Sequence, residues 1–501
     1  MNFKLSHIAT AAVLAVASVA AIANPISPNV DPSVYTPADT TDIYIAGSSA
    51  VDLALTKFIA NSCNASTLDT YRTDAGGKTY YLWTCETNGT GSNFHLASGN
   101  SKIAIHKNTN SSSDGVTGIA TNASFAYLQI SDIDSAASQC AVAPTVVPAT
   151  STIPSYNYYT CGTTAGAAGV GTLSHTSRFG FADSEPKQFN SSVVGSLTSV
   201  YPLSIVFGVP VSKNVRDLLQ TAQGLATGDE AEANMPSLTT AQINSIFTGR
   251  FTSWSALGIT VPGGDNSIYV VRRSAGSGTT RAFDNAFITD ICVPGASVIL
   301  PATTLVTATI PTQCNKVANG GTRTLQAGTS DDMAACVASF QTNGAVGAIG
   351  YLSTDYLPGT ADAYRWIKVD GYAPKQLNVA DGKWKDWSEE SLNYNNGTPL
   401  AGDDQSFYTT IASTSASGAL LSEISKNLPQ TTSGLWTGGV MGALPGRSNG
   451  SGWGLAAGAS LTVPRTDASV LAYPANPTSR ATTAGYSLCA VPLPASGYQA
   501  Q

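Results

Sequence analysis

The chain has 501 residues, a formal net charge of −7 and only 11% charged side chains. That length allows two or three core-sized units, and the acidic balance argues against nucleic acid or an anionic membrane as partner. Four histidines and eight cysteines without a CxxC pair argue against a zinc site.

Met1 to His7 is a weakly basic head, residues 8–22 are an apolar run, and Ala21-Ile-Ala23 has the small-x-small form of a cleavage site. This predicts a secretory signal peptide over 1–23, cut near Ala23, and an exported chain in the periplasm or outside the cell. Loss of Lys4 with that segment takes the charge from −7 to −8. No later stretch approaches about twenty uninterrupted apolar residues, so no membrane span is expected. An even cysteine count in an exported chain favours disulfides. Neighbour pairing would join Cys63–Cys85, Cys140–Cys161, Cys292–Cys314 and Cys336–Cys489, among many possible connectivities.

Residues 42–46 read as a short strand, Gly47-Ser-Ser-Ala50 as a turn, and 51–59 as an amphipathic helix. Ser48 and Ser49 stand where helix-start hydroxyls would, and ordinary N-capping explains them equally well. Residues 61–100 turn polar, with Cys63 and Cys85 bracketing Tyr80-Tyr-Leu-Trp83, which predicts a stapled hairpin. Residues 102–106 form a strand, followed by a Ser-rich turn, Ser111-Ser-Ser-Asp-Gly115. His106 is expected to be structural. Residues 131–176 hold Cys140 and Cys161 and read as a surface insertion.

Arg178-Phe-Gly-Phe-Ala-Asp183 is an aromatic strand ending in an acid, and Pro186 stops its continuation. Residues 201–211 are nearly all apolar, as in a buried strand or a crossing between lobes. A helix starts at Lys213, and another, capped by its Ser/Thr start, spans 237–247. Ile268-Tyr-Val-Val-Arg-Arg273 is then a strand, Ser274-Ala-Gly-Ser-Gly278 a permissive turn, and 279–287 carries helical spacing. Strand, Gly/Ser turn and helix start together make an anion site: backbone N–H groups converge, Ser277 and Thr279 add hydroxyls, and Arg273 adds a planar fork. An ordinary capped βα turn is the plainer reading of the same residues. Residues 341–351 approach a short buried strand through glycines, 405–428 carry a helical pattern, and 430–501 are Gly/Ser/Thr/Pro-rich.

Gly47-Ser-Ser49, Ser112-Ser-Asp-Gly-Val116, Gly180-Phe-Ala-Asp183, the 238–254 helix region, Arg273-Ser-Ala-Gly-Ser-Gly-Thr279 and Gly347-Ala-Ile-Gly-Tyr351 occur in one order. In that order the chain resembles the phosphate-binding proteins of phosphate-specific ABC transporters, the PstS-like type 2 periplasmic binding proteins. The resemblance covers 42–59 and about 102–355. It implies an α/β fold of two lobes around a cleft, with disulfide-stapled insertions here. Crossing strands would fall near 201–209 and just after Tyr351, making lobe I from 42–205 plus 356–501 and lobe II from 206–355.

The resemblance also implies capture of phosphate, or a similar tetrahedral oxyanion, without metal or cofactor, and delivery to an ABC permease. Its ligand set maps onto Ser49, Ala50, Ser112, Asp183, Arg273, Ser277, Gly278 and Thr279. Asp183 would accept a hydrogen bond from the ligand's own proton, favouring hydrogen phosphate over fully ionised sulfate. Three departures matter: Ala275 replaces the acid usually beside the Arg, Asp114 stands where Gly is common, and the chain is about half as large again as a minimal member, with disulfide-stapled insertions that could shape the cleft rim.

A second reading is a surface or adhesion protein reusing the fold, suggested by the large Thr/Gly/Ser-rich insertions. Enzymatic activity is not expected. Ser277 lacks the Gly-x-Ser-x-Gly elbow, because position 275 is Ala and 279 is Thr. Only His106 and His175 lie near these motifs, too few partners to assemble a triad with it.

Overall fold

The computed structural model describes residues 38–415 apart from short stretches, the longest being 135–143, 162–172, 289–301 and 315–322. Beyond 415 it describes only isolated short strands. The expected signal peptide, most of the tail, Cys140, Cys292 and Cys489 lie outside the described residues.

One long strand, Leu197–Ser212, organises the molecule. Its first half pairs antiparallel with Trp387–Asn395, and its second half with Gly347–Ile349 and Tyr364–Val369. Each half therefore belongs to a different sheet. The ladder shifts register between Val200 and Leu203, where Pro202 supplies no N–H donor.

In the first sheet Thr40–Gly47 lies parallel to both Lys102–Thr109 and Phe179–Ala182, and the last of these pairs with Trp387–Asn395. The hairpin Asp69–Ala75 with Lys78–Glu86 extends this sheet from Lys102–Thr109 outward. In the second sheet Ile268–Arg273 is parallel to Thr324–Ala327 and to Gly347–Ile349. Parallel strands joined by helices are buried on both faces, which explains their apolar runs.

Two cores follow from the two sheets. The first gathers Ile43, Ile45, Phe58, Trp83, Ile105, Phe181 and Phe407. The second gathers Val209, Val211, Ile243, Trp254, Val271 and Ile349. The helix Asp52–Ser62 covers the first and touches Gly402–Ser415. The helix Thr240–Phe247 covers the second, and its capping box joins Thr239 and Gln242. The two-lobed α/β architecture expected from the sequence is the one observed.

Residues 364–387 depart from that expectation. Tyr364, Trp366, Ile367 and Trp387 pack in the second core. The reason is pairing: Val209 to Ser212 register against Ile367 to Tyr364. Leu352–Ser353, just after Tyr351, pairs with Phe207–Gly208 of the long strand, and the chain then adds Tyr364–Val369 to the second sheet before it joins the first along Trp387–Asn395.

Cys63 and Cys85 form the expected staple across the hairpin base. Cys161 is also disulfide-bonded. The expected partners of Cys314 and Cys336 are corrected, for these two bond each other with Cα atoms 5.3 Å apart. The turn Ile310–Gln313 packs on the helix Ser330–Thr342, which brings the two sulfurs together.

Candidate functional site

The 274–278 turn lies where the two lobes meet. Ser277 N donates to Ser274 O at 3.0 Å, closing the turn. The Ser277 side chain is buried and makes no capping bond to the helix Gly278–Phe283 that it precedes. From the other lobe, Ser113 N donates to Gly276 O and Ser184 Oγ to Gly278 O, both at 3.1 Å.

Asp183 is the meeting point, 3% exposed at the end of the strand Phe179–Ala182. Its Oδ1 accepts from Ser112 Oγ, and its Oδ2 from Thr279 Oγ1 at 3.4 Å. A Cβ added to Gly278 would lie 1.5 Å from Asp183 Oδ1. Only glycine permits this approach. Burial raises the Asp183 carboxyl above the usual carboxylate range, while the Ser112 bond and the Arg273 charge oppose it.

Gly47 brings the first loop to the same place. Its φ is +117°, and a Cβ there would meet Phe181 O at 2.0 Å. Ser48 N then donates to Phe181 O at 2.9 Å, and Ala50 N donates to Ser48 Oγ at 3.1 Å. The Ala50 N–H thus has an internal acceptor. Ser49 is half-buried and lines a cavity of about 240 Å3 together with Arg273.

Arg273 is 4% exposed. Its Nη1 donates to Ser330 Oγ at 2.7 Å, and its backbone N–H to Tyr351 Oη at 3.0 Å. Burial lowers its pKa, and the nearby Tyr356, Asp183 and Asp332 oppose that. Ala275 is exposed in the turn, so the serine at the start of Ser330–Thr342 orients the guanidinium instead of a neighbouring acid. Asp114 turns to its own loop, where its Oδ2 accepts from Asn110 Nδ2 at 2.7 Å.

Ser112, Gly278 and Thr279 therefore all meet at Asp183, with Arg273 in its field. Ser277 sits beside them at the helix start. Ser49 meets the cluster at the cavity, and Ala50 is tied to Ser48.

Three buried groups behind this cluster were not singled out from sequence. Lys107, fully buried, donates to Ser48 O, to Asp52 Oδ1 and, at 2.7 Å, to Thr109 Oγ1. Asp52 is raised by burial against the pull of that ammonium. Glu390 is fully buried, and among the described residues no hydrogen bond of normal geometry reaches either oxygen. Burial, then the charge of Asp183, pushes Glu390 well above the usual range, with Lys107, Asp52 and the Ser48 hydroxyl also in its surroundings. The signals were a lysine inside an apolar strand and an acid in Trp387-Ser-Glu-Glu-Ser391. Neither means much until the register places them.

Glu390 yields a pH prediction. Its folded value lies above the unfolded one of about 4.3, so its contribution is fully present below that value and is lost as pH rises toward the folded value. Glu390→Gln removes that loss. The melting temperature of the variant minus that of the parent is expected to grow from pH 4 to pH 8, and parallel curves would refute it.

Among the described residues no three His, Cys, Asp or Glu side chains are placed to hold a metal ion. No described helix is long and apolar enough to cross a membrane. Residues 205–414 match the family model described as the PBP superfamily domain.

The matched segment begins within the long strand Leu197–Ser212 and ends in the helix Gly402–Ser415. Among solved structures, the chain is similar to a substrate-binding protein of the phosphate ABC transporter type from Clostridium perfringens, solved with bound phosphate. The identity is 16%, the coverage 77% of this chain and 98% of that one, and the TM-score 0.41. It is similar to PstS from Borrelia burgdorferi at 9% identity, with 77% and 97% covered and a TM-score of 0.35. A phosphate-binding protein from Stenotrophomonas maltophilia shares 14% identity, with 80% and 87% covered and a TM-score of 0.34.

Proposed function

We propose that the protein is an exported, non-catalytic solute-binding protein that captures phosphate or a similar tetrahedral oxyanion between its lobes. The observation that carries this reading is the convergence of Ser112 and Asp183 from one lobe with Arg273, Gly278 and Thr279 from the other. Hydroxyl donors, a buried guanidinium and a carboxylate acceptor at one point suit an anion that still carries a proton. The eight residues Ser49, Ala50, Ser112, Asp183, Arg273, Ser277, Gly278 and Thr279 form the proposed ligand set. Ala50 can contribute only if its N–H leaves Ser48 Oγ.

Binding would draw the lobes together about the strands 197–212 and 387–395, the usual hinge closure of two-lobed receptors. Disulfides at 63–85 and 314–336 fit an oxidising compartment outside the cytoplasm. Delivery to an ABC permease is the partner role this reading assigns.

Titration calorimetry on refolded protein tests it. Phosphate is expected to bind saturably and sulfate not, with Asp183→Asn and Arg273→Ala each weakening phosphate by about a hundredfold, the scale of a broken buried charge contact. No heat with either anion would overturn the reading and favour a surface protein that reuses the fold.

A further inference from the structure

The cavity beside the anion loops is larger than a bare oxyanion needs. Its volume is about 240 Å3, room for roughly eight waters at about 30 Å3 each. A tetrahedral oxyanion has only five heavy atoms. Both lobes build the walls: Ser49, Arg72 and Tyr81 on one side, Arg273, Asp331 and Tyr356 on the other.

Two arginines face this space. Arg273 is buried, has its Nη1 on Ser330 and, among the described residues, has no hydrogen-bond partner for its Nε. It is also the cation that acts on Asp183, so it belongs to the head-group cluster and to the cavity at once. Arg72 comes from the disulfide-stapled hairpin, outside the part of the chain that carries the family motifs. Its Nη2 reaches Asp331 Oδ2 of the other lobe and Asp74 Oδ2, both at 3.2 Å. The Asp331 side chain is 59% exposed, so water can replace it on Arg72 at little cost.

We infer that the site takes an oxyanion carrying a polar or anionic substituent, a phosphate monoester of roughly three carbons by volume, bound as the monoprotonated phosphate that still offers Asp183 a hydrogen bond. Its head is held at Arg273 and its substituent at Arg72. The inference rests on the oxyanion reading and names the ligand class for that site. Tyr81 and Tyr356 supply ring faces for the carbon chain, and an anionic group on it displaces Asp331 from Arg72. The opposed carboxylates of Asp52 and Asp331 also line the cavity, which disfavours a second negative charge anywhere except on Arg72.

The test is calorimetric titration of the full chain with inorganic phosphate, glycerol 3-phosphate and 3-phosphoglycerate. Both esters are expected to bind about tenfold or more tightly than phosphate, 3-phosphoglycerate best, as one added charge-assisted contact allows. Arg72→Gln is expected to collapse the ratio of 3-phosphoglycerate to phosphate affinity. Asp331→Asn, at an exposed side chain, is expected to raise that ratio by freeing Arg72, and melting curves of both variants verify that they fold. Tight phosphate with weak or absent ester binding overturns this inference and leaves phosphate capture standing. Ester binding with a ratio indifferent to both variants also overturns it. Binding of none of the three anions overturns both readings.

Discussion

Gly278→Ala is expected to abolish anion capture while both cores stay folded. The added methyl would sit 1.5 Å from Asp183 Oδ1, 2.4 Å from its Cγ and 2.6 Å from Ser112 Oγ. Asp183 has nowhere to retreat, since it is buried and held by Ser112 and Thr279. The lobes must then part at this point, or the carboxylate must swing out of the cluster. Either outcome separates the acceptor from Arg273, and a loss of about a hundredfold in affinity, some 2.7 kcal/mol, is the smallest effect expected. The backbone conformation itself tolerates alanine, because Ser277 and Gly278 lead into a right-handed helix. Titration calorimetry with a parallel melting curve reads both parts. Retained affinity would mean that Asp183 and the 276–279 turn are not the ligand contact.

Lys107→Met is expected to cost about 3–5 kcal/mol of stability, because it leaves the buried Asp52 carboxylate without its cation. Lys107 is fully buried and Asp52 is 6% exposed. The methionine keeps the length of the stem and removes three donors, so Ser48 O and Thr109 Oγ1 lose a partner too. The sign with pH follows from Asp52, whose value burial already raises. Without the ammonium that value rises further, so the group takes up a proton more readily in the folded state. The variant's deficit should therefore shrink as pH falls from 7 toward 5. Urea denaturation at the two values measures this, and a deficit below about 1 kcal/mol at pH 7 would show that the pair is solvated after all.

Much of the fold was legible because the loops speak through residue type. Gly47, Ser48 and Ser49 announce a turn at a strand end, and the strand 268–273 followed by Ser277 and Gly278 announces another. Each was read correctly as local structure. The apolar stretch from 201 to 211 was legible as buried, in a parallel sheet or a crossing, and it lies in the strand 197–212, which pairs antiparallel into both sheets. Residues 364–369 look like any short strand, and only their pairing with 209–212 puts them in the second core. The pairing of Cys314 with Cys336 was hidden in the same way, because distance in space is set by the packing of 310–313 on 330–342.

At the site, the motifs could name the residues proposed here to touch a ligand, but not the buried groups behind them. Lys107 and Glu390 sit on strands far apart in sequence, and their meeting behind Asp183 depends on the register of three ladders. Arg72 belongs to an insertion and carries no motif at all. The role proposed for it rests on the cavity that the hairpin walls.

A crystal grown with arsenate, diffracted at the arsenic edge, tests the central claim most directly. The account predicts one anomalous peak between Asp183 and Arg273, within hydrogen-bond reach of Ser112 and of the 277–279 backbone. A map with no peak there, or with its only peak elsewhere on the molecule, would contradict it.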